Sequence, residues 1–501
     1  MPGQAELGVS PSAGLPAGMT VELASGVSQV TGDVLFGGSP ARLLRLTGAG
    51  VRALAELRGG VIRTQAAGLL ARRLTDTGMA HPRPAALVSR TGPVASPGLV
   101  SGPGPDEPAP LPVTVMIPVR DRAAALARCL AAAGREYPVL VVDDGSADPG
   151  AVAAACAAHG ARLIRRQVSG GPAAARNTAL AAVTDGLVAF LDSDCVPPPG
   201  WIAALAGHLA DPLVAAVAPR IVPTAASSRP AAAALDLGPD PARVAPLTKV
   251  AYVPTAALLA RRAVLGDGFD EALRYGEDVD LVWRLIEAGW RVRYEPAVQV
   301  EHDEPASRAV QLARRFRYGT SAAPLTRRHP GAVAPLVLQP WPALTIAALL
   351  GRRPVLAGAA FGASAALLSR RLRASGLPAG GLARPLAGGV WQTWLGTGRW
   401  CGQFAWPAAV AVLVRPGGRR ARTRWGRRAA AASLLAGPAL ADWAVSRDGD
   451  PLRHLVGTLA DQAAYGAGVY AGCLRERLFT PLLPTVAWRP VPGLSRRSVD
   501  S

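Results

Sequence analysis

Residues 113–305 alternate short β-rich runs with Ala-rich helical patterns, and this rhythm constrains the fold more than any other feature of the chain. Strands are expected over 113–117, 139–142, 162–165, 187–191 and 214–218, with helical pattern between them. Strands joined through helices pair side by side and in parallel, so the segment predicts an α/β fold with a doubly wound, mostly parallel sheet. Sheets of this kind bind ligands outside the carboxyl ends of their strands. The residues that follow each apolar run are therefore the candidate site.

The first run ends at Pro118 and releases Val119-Arg120-Asp121-Arg122 into a loop. The second ends in Asp143-Asp144-Gly145-Ser146. An acidic pair at a strand end can accept hydrogen bonds from a nucleobase N–H or from ribose hydroxyls. The same residue types also cap turns and helices. Further on, Gly170 and Gly171 precede a helical run that carries Arg176 and Asn177. Glycines let backbone N–H groups approach a phosphate, and the helix start favours an anion. Arg176 sits about one and a half turns into that helix, where it can reach a pyrophosphate or frame a sugar.

The strongest element is Val188-Ala189-Phe190-Leu191-Asp192-Ser193-Asp194, an apolar strand that ends in two carboxylates one residue apart. Such a pair can engage one hard cation, Mg²⁺ or Mn²⁺, with diphosphate oxygens completing the shell. The cation would neutralise charge on a departing nucleotide diphosphate. Glu277 and Asp278 then open an amphipathic helix. Acids suit a helix start electrostatically, but either one can also take the proton from an attacking hydroxyl. Direct displacement by that hydroxyl inverts the anomeric centre. His302 follows another strand-like run and can ligate the cation, hold a phosphate or serve a structural role. Together these residues predict an inverting, metal-dependent transfer of a sugar from a nucleotide donor.

The flanks differ in character. Residues 1–30 read as a polar, weakly ordered lead, and 31–90 as a small winged-helix-like unit of strand, helix and helix. Residues 91–112 are rich in Pro, Gly and Ser and predict an extended linker. The transferase domain is expected over 113–330, an Ala-rich helical region over 331–485 and a polar tail over 486–501. Apolar stretches at 332–350, 354–368, 406–414 and 429–445 approach the roughly 20 residues a span needs, so association with the cytoplasmic face of the cell membrane is expected, as spans or as helices lying on it; the alternative is a buried helical bundle in a soluble cytoplasmic form. The formal net charge of +19 rests almost wholly on arginine, Lys249 being the only lysine. It favours anionic lipid and phosphorylated substrates. The arginines do not interleave with aromatics as in nucleic-acid modules, so no nucleic-acid partner is expected. Five cysteines without a CxxC pair argue against a disulfide framework or structural zinc. Residues 1–19 lack a basic region followed by an apolar one, so no secretory signal is expected.

Taken in order, IPVRD, VVDDGS, GGPAAARN, FLDSDC and GEDVDLVWRL resemble glycosyltransferase family 2. The resemblance implies a GT-A fold and inverting transfer from a nucleotide sugar. It places Asp143 at uracil, with Pro118 and Asp121 beside the base, Asp192 by the ribose and metal, Asp194 as main metal ligand, Asp278 as base and His302 near the metal. Processive members carry Gln-x-x-Arg-Trp; this chain has Gln311, Arg314 and Arg315, so the Trp is missing, although these residues remain candidates for acceptor or diphosphate contact. The layout of the whole chain resembles the mycofactocin biosynthesis glycosyltransferases of actinobacteria. That implies UDP-glucose as donor and premycofactocin, a redox cofactor derived from a ribosomal peptide, as acceptor of β-1,4-linked glucose. The N-terminal unit resembles peptide-recognition domains. Other readings are a family 2 enzyme with a lipid or polysaccharide acceptor, a nucleotidyltransferase acting on sugar phosphates, and a non-catalytic peptide-recruiting membrane scaffold. The second lacks the expected Gly-rich, basic loop after the first strand, and the acidic set Asp192, Asp194 and Asp278 argues against the third.

Overall fold

The computed structural model describes residues 8–84 except 9 and 11, 112–224 except 185, 235–304, 307–415 except 379 and 381, and 421–486 except 448, without the side chains of 421–424. Nearly all of the expected linker and tail therefore lie outside the described residues. Two compact units are distinguished, one built on Met1–Ser228 and Ala233–Glu304, the other on Pro305–Pro492.

The first unit begins with a small module. It comprises β1 (Thr20–Leu23), β2 (Ser28–Thr31), β3 (Val34–Gly37), β4 (Arg42–Arg45), α1 (Gly48–Arg58), α2 (Gln65–Asp76) and β5 (Ala80–Arg83). β2, β3 and β4 form an antiparallel meander, and β1 pairs antiparallel with β5. Thr47 and Thr64 start the helices, their hydroxyls accepting from the N–H groups of Gly50 and Ala67. The reading of 1–30 as a loose lead is corrected here. Leu15 and Met19 are buried in the module core, and β1 and most of β2 fall within that stretch. The Leu15 N–H donates to the Gly68 carbonyl at 2.9 Å, and a Cβ at Gly68 would lie 2.7 Å from the Leu15 carbonyl oxygen. Isolated apolar residues docking on a distant helix leave no local period to read.

Nine strands form the main sheet among the described residues: β6 (Val113–Val119), β7 (Val139–Asp144), β8 (Arg162–Arg166), β9 (Leu187–Leu191), β10 (Cys195–Val196), β11 (Val214–Pro223), β12 (Ala242–Val244), β13 (Ala257–Arg261) and β14 (Arg291–His302). Their order is β8-β7-β6-β9-β13-β11-β14-β10, with β12 also on β14. β8, β7, β6 and β9 are parallel, as are β11 and β14, while β10, β12 and β13 run against their neighbours. The sheet is thus α/β and mostly parallel. Its helices are α3 (Ala123–Ala133), α4 (Pro149–His159), α5 (Pro172–Ala181), α6 (Trp201–Ala206) and α7 (Glu277–Glu287). All five β9 residues are buried, and burying each large apolar side chain stabilises the fold by about 1.5–3 kcal/mol. This rigid centre fixes where the carboxylates after β9 stand.

The module docks on this domain through one buried and one half-buried ion pair. Arg72 of α2 holds Asp211 in a two-pronged pair at 2.5 and 2.6 Å, and Asp76 holds Arg291 at the start of β14 with two bonds of 2.6 Å.

The second unit is helical: α8 (Arg308–Gly319), α9 (Ala322–Arg328), α10 (Pro340–Leu350), α11 (Pro354–Ala374), α12 (Ala383–Trp400), α13 (Trp406–Val414), α14 (Ala421–Ser446) and α15 (Pro451–Glu476), with β15 (Val337–Leu338) pairing β16 (Thr485–Val486). Of the apolar stretches expected to span a membrane, two lie in helices long and apolar enough to do so, α11 and Trp425–Ser446 within α14, by length and composition.

Candidate active site

The carboxyl ends of β6, β7 and β9 and the start of α7 bring the acidic motifs together. In the parallel register of β7 and β8, Arg165 lies beside Asp143 and Arg166 beside Asp144. Asp143 is fully buried; its Oδ1 accepts from the Ser146 N–H at 2.9 Å and its Oδ2 pairs with Arg165. Both oxygens have partners within the protein, and through them Asp143 shapes the loop that Gly145 turns at φ 73°. Asp121, at φ 56°, is the more exposed acid at this end. Its N–H donates to Ser146 Oγ at 2.9 Å, and its Oδ1 accepts from the Ala147 N–H at 2.7 Å. These bonds join the Pro118–Arg122 loop to the Gly145–Ser146 turn.

Asp144 changes the reading of the two glycines. Its carboxylate accepts from the N–H groups of Gly170 (3.0 Å) and Gly171 (2.8 Å), from Ser169 Oγ (2.7 Å) and from Arg166 Nε (2.9 Å). The amides expected to cradle phosphate are held by a side chain of the protein. Burial opposes ionisation of Asp144, but these bonds outweigh it and hold its carboxyl below the ordinary range. Arg120 donates to the same Ser169 hydroxyl at 3.0 Å.

Arg176 occupies the centre. It is 4% exposed, with Nη2 2.7 Å from Asp192 Oδ1, Nη1 3.0 Å from Glu277 Oε1, and its guanidinium 5.4 Å above the Phe269 ring. Burial works against its charge, but Asp192 and Glu277 keep it firmly protonated. Arg176 thus bridges the acids after β9 to those opening α7. Asn177, expected among the donor contacts, is turned the other way. Its Nδ2 donates to the Phe269 carbonyl (2.8 Å) and Glu271 (3.0 Å), and its Oδ1 accepts from the Phe269 N–H at 2.8 Å. It fixes the loop that carries the ring beneath Arg176.

Asp194 is buried and pairs with Arg122. The antiparallel pairing of β10 with β14 sets Cys195 opposite His302, which brings His302 Nε2 to 3.7 Å from Asp194 Oδ1. Glu304 stands 3.5 Å from the other ring nitrogen. Burial lowers the His302 pKa, but Glu304, Asp194 and Asp192 outweigh it and raise the value. Asp194 and His302 supply a carboxylate and an imidazole, donor types that Mg²⁺ or Mn²⁺ accepts. Among the described residues no three His, Cys, Asp or Glu side chains gather closely enough to hold an ion by themselves.

Gly276, at φ 82°, turns the chain into α7. Of the three acids in its first turn, Asp280 pairs with Arg284 at 2.7 Å and Glu277 with Arg176. Asp278 Oδ1 accepts from the Val279 N–H at 2.8 Å. Burial, then the neighbouring Glu277 charge, push the Asp278 carboxyl up to about 7, with Arg176 pulling the other way. A carboxylate so placed can accept a proton near neutral pH.

Gln311, Arg314 and Arg315 fall on α8 in the second unit. Arg315 ion-pairs with Asp461 at 2.7 Å and stacks over Tyr465, and Gln311 accepts from Arg308 at 3.2 Å. Arg315 therefore packs α8 on α15, and its charge is met there by Asp461. Five residues of the first unit's site were not singled out from sequence: Arg122, Arg165, Arg166, Phe269 and Glu304. The arginines carried a signal, since Arg122 directly follows IPVRD and the third strand ends in two arginines beside an acidic strand end. Phe269 carried none.

The model of Glycosyl transferase family 2 matches residues 114–265. The chain is 39% identical over 496 residues to Pre-mycofactocin glycosyltransferase of Mycobacterium tuberculosis (strain CDC 1551 / Oshkosh), covering 94% of this chain and 98% of that relative. It is 29% identical over 259 residues to Succinoglycan biosynthesis protein ExoU of Rhizobium meliloti (strain 1021), covering 44% of this chain and 75% of the relative. A solved structure, the mannosyltransferase PcManGT from Pyrobaculum calidifontis in complex with GDP-Man and Mn²⁺, aligns at 21% identity and a TM-score of 0.36 over 66% of this chain and 87% of that one. With a strand-end acidic site built as above and a relative matched along nearly its whole length, the chain belongs to the pre-mycofactocin glycosyltransferase family and is a nucleotide-sugar glycosyltransferase with a family 2, GT-A type domain.

Proposed function

We propose that the chain transfers glucose from UDP-glucose to premycofactocin with inversion, adding β-1,4-linked units. The observation that carries the acceptor is the match along nearly the whole chain to a Pre-mycofactocin glycosyltransferase; the displacement chemistry is supported by Asp278, a carboxyl with a raised pKa one residue from the Glu277 that Arg176 ties to Asp192. In the reaction, the acceptor hydroxyl oxygen forms a bond to the anomeric carbon as the bond to the UDP oxygen breaks. The hydroxyl proton passes to the Asp278 carboxylate, and the electron pair leaves with UDP. Attack from the face opposite the leaving group turns an α-linked donor into a β-linked product.

The other residues bind and orient. Pro118, Arg120 and Asp121, tied to Gly145 and Ser146, line the base end of the donor, and Asp192 lies at the ribose. Arg176 fixes Asp192 and Glu277 so that donor and base keep their spacing. Asp194 and His302, with Asp192 beside them, would hold Mg²⁺ or Mn²⁺, which when bound neutralises charge on the diphosphate. The N-terminal module recruits the peptide-derived acceptor, and the helical unit associates with the cytoplasmic face of the membrane. Mass spectrometry of products from premycofactocin with UDP-glucose, UDP-galactose or GDP-mannose tests donor and acceptor. Proton NMR of the new anomeric centre tests inversion. An α-linked product, or no hexose added, overturns the proposal.

A further inference from the structure

In the second unit, α12 and α14 are pinned together at one end. Gly398 meets Pro438, where a Cβ would lie 2.5 Å from Pro438 Cγ, and a Cβ at Gly437 would run into the Trp394 ring. Nearer the start of α14, these two helices and α10 line an open-sided cavity of about 570 Å³. Its wall is largely carbon, with Leu349 and Leu350 of α10, Trp391 and Trp394 of α12, and Ala430 of α14. The two indoles lie with centroids 4.9 Å apart, tilted by 30° to one another. Water gains few hydrogen bonds against such a wall, whereas a hydrocarbon chain removes it from water.

One part of the lining has the opposite character. Arg352 lines the cavity and packs so closely on α14 that a Cβ at Gly426 would lie 2.5 Å from its Cδ. Arg352 and Arg353 directly precede α11, and Arg427 and Arg428 lie at the start of Trp425–Ser446, so this contact gathers the basic starts of both membrane-length helices. Residues 305–441 contain no Asp or Glu, so the charge of this stretch is wholly positive. From Gly426 to Ser433 the slot runs about 10 Å along α14 at the usual helical rise.

A basic collar above an apolar slot fits a phosphate joined to an acyl chain. We propose that this cavity binds one acyl chain of an anionic glycerophospholipid, with the headgroup phosphate at Arg352. The inference rests on the membrane association proposed above. The test uses the full chain with phosphatidylcholine vesicles that contain either brominated-acyl phosphatidylglycerol or brominated-acyl phosphatidylcholine. Vesicle flotation reports association, and quenching of tryptophan fluorescence reports contact with the chains. The expected result is stronger quenching by the brominated anionic lipid, lost in the Trp391→Phe/Trp394→Phe variant. Arg352→Gln should lower that preference about fivefold without preventing flotation. Ser433→Leu, which narrows the slot and leaves the collar intact, should lower quenching by both lipids. Flotation with equal quenching by the two lipids, or a preference that survives removal of both tryptophans, overturns the site. Failure to float overturns the site together with the membrane reading.

Discussion

Replacing Arg176 by Met tests how the site sets its base. The substitution keeps an apolar stem but removes the guanidinium that lies 2.7 Å from Asp192 and 3.0 Å from Glu277. Asp192, Glu277 and Asp278 then face one another without a buried cation. An opposite charge at this range holds a carboxyl pKa down by about 1–3 units. Asp278, already pushed up to about 7, should therefore rise by at least about one unit more. The base works only when ionised. The acid limb of kcat/KM against pH must then move to higher pH, so activity at pH 7 falls about fivefold or more and largely returns near pH 9. Arg176→Lys keeps the charge and should leave the limb near its original place. Stability carries the same sign: a carboxyl with a raised folded pKa is tolerated below its unfolded value and costs stability as pH rises through the folded one. The Met variant should thus lose melting temperature from pH 5 to pH 9 more steeply than the parent chain. An equal loss of activity at every pH, with an unmoved limb, would refute the electrostatic account.

Three further outcomes are expected. Asp278→Asn should lower kcat by about 10²–10⁴ with the donor KM nearly unchanged; full turnover in that variant alongside an inactive Glu277→Gln would reverse the assignment of the base. Asp194→Ala should remove the gain in UDP-sugar affinity that Mn²⁺ provides, read by calorimetry with and without the ion, and an undiminished gain would exclude Asp194 as a ligand. Asp211→Ala leaves the 4%-exposed Arg72 as a buried, unpaired charge and should destabilise the first unit by about 3–5 kcal/mol in urea unfolding; a loss under 1 kcal/mol would mean that water reaches Arg72.

Much of the site was legible because its signals are local. An apolar run such as 187–191 reports a buried strand by its own composition, and the acids that follow are placed by chain connectivity. The same holds for α7, where Glu277 and Asp278 open a helix whose apolar face includes Leu281 and Leu285. The reach of each side chain was not legible. Asp144 was read as a possible ligand for a nucleotide, yet it faces Gly170 and Gly171, and whether an acid meets a ligand or its own backbone depends on the neighbouring strand. Asn177 stands next to Arg176 in sequence, but one turns to the Phe269 backbone and the other to Asp192 and Glu277.

The amino-acid sequence by itself determined the βαβ rhythm, the strand-end position of Asp121, Asp143, Asp144, Asp192 and Asp194, and the acids at the start of α7. These follow from periodicity and from the shape of a parallel sheet, which are properties of short segments. Only the tertiary structure decided that β13 enters the sheet against its neighbours, that β14 delivers His302 to Asp194, that Arg176 joins two acidic motifs, and that Leu15 and Met19 belong to the module core. Each of these is a pairing between segments far apart in the chain. Such pairings are selected by burial and charge compensation across the whole domain, which no local window contains.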